Sequence, residues 1–191
     1  MGYWGYLVVA RSERPLTELG ALAGVLGLKP RVSAGGGWQV WESPGGDGDI
    51  GSMNALARET GAPALFGYVM DSDCGVVEAA GPESGGWSAC LARAAMAGYL
   101  GADKEGLTLE DYFLEPRDAA DRAVAWAKEA GYSVTAGPLL DVLTAELAES
   151  PGAESPDTEG PDTEDHDLLA ENLFFRFLDL LGVVPCDTPG V

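Results

Sequence analysis

Residues 64–80 read Ala64-Leu65-Phe66-Gly67-Tyr68-Val69-Met70-Asp71-Ser72-Asp73-Cys74-Gly75-Val76-Val77-Glu78-Ala79-Ala80. Two apolar runs of strand length flank three short polar residues. Asp and Ser side chains bond nearby backbone N–H groups, so Asp71-Ser72-Asp73 makes a natural turn between two strands. This stretch decides the fold class, because the residues before it carry further strand patterns and those after it carry mostly helical ones.

Working back towards the N-terminus, Met53 to Thr60 reads as a short helix ended by Gly61 and Pro63, and Ser43 to Ser52 as a Gly/Asp-rich loop. Arg31-Val32-Ser33 and Trp38 to Glu42 bracket Gly35-Gly36-Gly37 as a hairpin. Leu16, Leu19, Leu22, Ala23 and Leu26 recur at helical spacing after Pro15, with Gly27 as a stop. Tyr3 to Ala10 reads as a buried strand.

Working forward, Trp87 to Ala97 is apolar almost all round and reads as a covered helix. Leu109 to Leu114 suggests another short helix. Asp118 caps a helix over Ala119–Ala130, and Leu139 to Glu149 forms a further one. Residues 150–167 repeat Pro-Asp-Thr-Glu and cannot bury enough apolar area to offset their ordering entropy, which predicts a disordered acidic linker. Leu169, Leu173, Phe177 and Leu180 then share one helix face.

Strands concentrated before residue 80 and helices after it favour an α+β fold, with an antiparallel sheet from the N-terminal half and helices packed on it. The expected organisation is an α+β domain over residues 1–149, the linker over 150–167, and a helical segment over 168–191 that docks on the domain. Its apolar face is too large to leave in water.

The 191 residues are 46% hydrophobic, which excludes wholesale disorder, and carry 11 Lys+Arg against 31 Asp+Glu, a formal charge of −20. Eight of the acids lie between Glu149 and Asp167, so the remainder still carries −12. Such a field repels phosphates and anionic lipid and attracts basic surfaces. Direct binding to nucleic acid or to a membrane is therefore not expected, and a basic protein partner is. No apolar run approaches the roughly 20 residues of a membrane span. No basic leader-like segment opens the chain, so the cytoplasm is the expected address.

The residues assign no catalytic group and no cofactor, which leans the reading away from an enzyme. His166 is the single histidine and falls in the acidic linker. Gly86-Trp87-Ser88-Ala89-Cys90 lacks the last glycine of a nucleophile elbow. The glycine clusters match no phosphate loop. Cys74, Cys90 and Cys186 form no metal-ligand spacing and read as reduced thiols.

The expected function is a non-enzymatic binding protein with an acidic surface, of which an immunity- or antitoxin-type inhibitor is one concrete form. Trp38, Trp41, Asp71 and Asp73 are its candidate partner-binding residues. Trp38 and Trp41 point to opposite faces of one strand, so both are core if both faces are covered, and one is displayed if a face is open. The alternative is a metal-dependent enzyme or small-ligand binder. Asp71 and Asp73 would hold a hard cation, with Asp47 and Asp49 as further weak candidates.

Overall fold

A computed structural model describes residues 2–45, 49–101, 106–147 and 169–191. The expected linker, with His166, and Asp47 lie outside the described residues.

The fold is α+β. Six strands form one sheet in the order β2-β3-β1-β4-β5-β6, every neighbouring pair antiparallel. They are β1 (Gly5–Arg11), β2 (Lys29–Ser33), β3 (Trp38–Pro44), β4 (Ala64–Met70), β5 (Cys74–Gly81) and β6 (Gly85–Leu91). Among the described residues five α-helices accompany them: α1 (Met53–Thr60), α2 (Arg93–Leu100), α3 (Pro116–Glu129), α4 (Ala136–Thr144) and α5 (Ala170–Leu180).

Both faces of the sheet are covered, which is why β1 and β4 read as nearly continuous apolar runs. On one face Leu7, Val9, Val40 and Leu65 pack under α3, α4 and α5, with Phe174 and Phe177 fully buried there. Trp126 of α3 donates its indole N–H to the Ala64 carbonyl at 3.2 Å and fixes that helix to β4. On the other face Val8, Ala10 and Phe66 meet α1 and the Leu16–Leu22 region.

The Asp71-Ser72-Asp73 turn closes β4 onto β5 with Asp71 and Ser72 both left-handed, at φ 52° and 59°. Asp73 N–H bonds the Met70 carbonyl at 3.0 Å. Successive left-handed residues match the twist of an antiparallel hairpin. Four hydrogen bonds hold Ser72 in this conformation. Its hydroxyl accepts the Tyr3 N–H at 2.7 Å and donates to Glu171 Oε1 at 2.9 Å. Its backbone N–H reaches the Tyr3 carbonyl at 3.0 Å, and its carbonyl accepts from Ala170 N–H at 2.9 Å. One buried serine thus joins the entry to β1, the β4–β5 turn and the start of α5.

Three expected elements are corrected. Trp87–Ala97 is not one helix: residues 85–91 are strand β6, and α2 begins only at Arg93. Trp87, Ala89 and Leu91 alternate onto the face under α3, while Cys90 points to the opposite side. Ala92, left-handed at φ 55°, separates the two elements. A run of small apolar residues fits either period, and pairing with β5 selects the strand.

The Leu16–Leu26 helix is instead two 3₁₀ turns, Leu16–Glu18 and Gly20–Leu22, separated by an extended Leu19. Gly20 and Gly24 weaken helix propagation. The Glu59 carboxylate also takes the Gly20 and Ala21 N–H groups at 2.8 and 2.7 Å, so they need no helical partner. Finally, α3 starts at Pro116, a residue preorganised for the first helical position, which places Asp118 inside the first turn and not at the cap.

Candidate functional site

The candidate residues from the sequence separate in space. Trp38 is fully buried, 5.8 Å from the Trp126 ring, with its indole N–H donated to the Tyr132 hydroxyl at 3.1 Å. It is a core residue. Trp41 is half-buried at the margin of the opposite layer, its N–H satisfied by Gln39 Oε1 at 2.8 Å. Asp71 Oδ1 accepts the Gly2 N–H at 2.7 Å, and Asp73 Oδ2 accepts the Tyr99 hydroxyl at 3.3 Å. Asp49 closes its own loop through the Gly51 N–H at 2.7 Å. Its charge, after burial itself, helps raise the pKa of Glu78. Among the described residues no three Asp, Glu, His or Cys side chains gather as a metal site needs.

The two buried thiols are equally quiet, whereas Cys186 is exposed. Cys74 and Cys90 are buried with Ala92, Met96 and Leu109. Burial pushes the Cys74 thiol up to about 12, reinforced by Asp73, and the Cys90 thiol to about 11 despite the nearby Arg93. Both remain protonated and unreactive near neutral pH.

A site that the sequence reading missed lies at the β6 edge. The chain leaving α2 returns as a strap along this strand. Leu114 N–H bonds the Ser88 carbonyl at 3.0 Å, and the Ser88 hydroxyl bonds the Tyr112 carbonyl at 3.4 Å. Between strap, strand and the first turns of α3 opens a cleft of about 610 Å³. Four carboxylates line it, Glu110, Asp111, Asp118 and Asp121, against one guanidinium, Arg122.

Those charges are unequally occupied. Glu110 pairs with Arg93 of α2. Its own backbone N–H, then the Arg93 charge, hold its carboxyl below the usual range against desolvation. Asp111 caps its own turn by taking the Thr108 N–H at 2.6 Å. Arg122 directs its guanidinium at the Ser84 and Gly86 carbonyls, at 3.0 and 2.9 Å, and so blocks part of the open strand edge. Asp118 and Asp121, one helical turn apart and exposed, make no hydrogen bond or ion pair among the described residues.

Tyr112 adds an aromatic face, 47% exposed, to the wall of the cleft. Trp87, which also lines it, keeps its indole N–H buried, with no acceptor among the described residues. The cleft therefore presents free carboxylates and an aromatic face. That set suits a cationic ligand. Asp118 and Asp121 were visible in the sequence at i and i+3 of a helix, but reading 87–97 as a helix hid the strand edge beside them.

Comparison with protein-family models, with curated proteins and with solved structures finds no match to this chain. No helix among the described residues is long and apolar enough to cross a membrane.

Proposed function

We propose that this chain is a non-enzymatic, cytoplasmic binding protein whose acidic cleft at the β6 edge receives a basic protein partner, in the manner of an immunity- or antitoxin-type inhibitor. The observation that carries this reading is the pair Asp118 and Asp121. They are carboxylates with no partner among the described residues, beside an exposed tyrosine, on a chain of formal charge −20. Unpaired carboxylates on a rigid helix lose little entropy on meeting lysine or arginine, and the field of the whole chain accelerates the encounter.

The test must separate the cleft from the general acidity. A fluorescent nona-lysine peptide serves as the probe, titrated against three forms: the parent chain, Asp118→Asn/Asp121→Asn, and a control, Glu13→Gln/Glu18→Gln, that removes the same charge elsewhere. Exposed charge pairs contribute up to about 1 kcal/mol each, so the cleft variant should bind roughly three- to ten-fold more weakly. The control should stay within about two-fold. Equal weakening of both variants, or none in either, would show that the cleft is not where basic ligands bind.

A further inference from the structure

Trp4 lies just before β1 and is 40% exposed; Tyr99, near the end of α2, is 44% exposed. Their ring centroids are 6.3 Å apart at an interplanar angle of 69°. On its other side Trp4 meets Tyr68 at 6.4 Å and 62°. Tyr68 stacks on Tyr6 at 4.4 Å, and Tyr6 meets Phe66 at 5.6 Å. A row of aromatic rings thus runs from the sheet face out to solvent and ends in two displayed, nearly perpendicular rings. Asp73 stands at that end and accepts the Tyr99 hydroxyl at 3.3 Å. Asp71 occupies the same turn.

We propose that Trp4, Tyr99 and Asp73 form a contact for an arginine side chain of the basic partner. A guanidinium is planar, weakly hydrated and cationic. It stacks on aromatic faces, whose quadrupole attracts positive charge, while its fork donates to a carboxylate. Asp73 retains acceptor capacity beyond the Tyr99 bond, since a carboxylate offers about four lone-pair directions. A second copy of the chain is a poor occupant, because both surfaces carry the same sign. Nucleic-acid bases also stack on aromatic rings, but their phosphates would enter the same negative field.

The corner and the acidic cleft adjoin opposite ends of α2. At one end of α2 Arg93 pairs with Glu110 on the cleft lining, and at the other Tyr99 bonds Asp73. Six residues separate Arg93 from Tyr99, about 9 Å along the helix axis at ~1.5 Å per residue. One basic segment can therefore engage both. This inference rests on the proposed basic partner and adds the chemistry of its contact.

The experiment compares nona-arginine with nona-lysine peptides of equal charge. The parent chain should bind nona-arginine more tightly. Trp4→Leu and, separately, Tyr99→Leu should each weaken nona-arginine about two- to five-fold and leave nona-lysine within two-fold. Asp118→Asn/Asp121→Asn should weaken both peptides. Tyr99 is exposed on a helix surface, so Tyr99→Leu keeps the test valid if Trp4→Leu disturbs folding. If both aromatic variants bind nona-arginine like the parent while the cleft variant loses both peptides, the arginine contact is refuted and the acidic-cleft reading stands. If the aromatic variants lose nona-arginine selectively while the cleft variant binds like the parent, the arginine contact stands and the cleft reading falls.

Discussion

Ser72 shows how much one side chain can organise. Its left-handed backbone is unfavourable for a serine, yet its hydroxyl and peptide groups make four hydrogen bonds to Tyr3, Ala170 and Glu171. Replacing it with alanine leaves the Tyr3 N–H and one Glu171 oxygen without their partner in a partly buried setting, with the strained turn still in place. Ser72→Ala should therefore lower unfolding stability by about 1–3 kcal/mol. A urea titration checks this, and a midpoint equal to the parent's would contradict it. The turn itself was legible, because Asp-Ser-Asp between two apolar runs has a local cause. Its partners were not. Tyr3 and Glu171 stand 69 and 99 residues away in sequence, and no periodicity reports a contact at that range.

At the scale of elements, Gly67 explains how α5 sits so close to β4. A methyl group there would fall 2.6–2.8 Å from three carbons of the Phe174 ring. Phe174 is fully buried and has little room to retreat. Gly67→Ala should cost about 1–3 kcal/mol through overpacking. Combining it with Phe174→Leu should cost less than the sum of the two single changes, a coupling that a double-mutant cycle in urea measures. Strict additivity would mean that the ring and the strand are not in contact.

Elements with strong local signals were readable from sequence. Ser52 and Gly61 frame α1, the first as its cap and the second left-handed at φ 68°. Residues 16–26 and 87–97 were misread because distant partners decided both. Glu59 takes the Gly20 and Ala21 N–H groups and so breaks the first segment into two short turns, while small apolar residues fit helix and strand alike in the second, where pairing with β5 selects the strand.

On the scale of the whole molecule, charge and layering combine. Covering both sheet faces consumes Trp38, and the surface left over is acidic. The negative balance was plain from composition, but its focus was not. The cleft is assembled from residues 86–88, 110–114 and 118–122, three segments whose convergence requires β6 to be an edge strand with a strap beside it. Within the cleft Glu110 and Asp111 are tied into an ion pair and a turn, whereas Asp118 and Asp121 have no side-chain partner among the described residues. Binding driven by such groups must weaken with ionic strength, since the Debye length shrinks from about 10 Å at 0.1 M salt to about 3 Å at 1 M.

The most direct measurement is a backbone amide NMR map of the parent chain titrated with nona-lysine at low salt. The acidic-cleft account predicts that the largest shifts fall on residues 86–88 and 110–122, and that they collapse in 0.5 M salt. Shifts concentrated instead on the acid-rich stretch 149–167, or spread evenly over the surface, would contradict it.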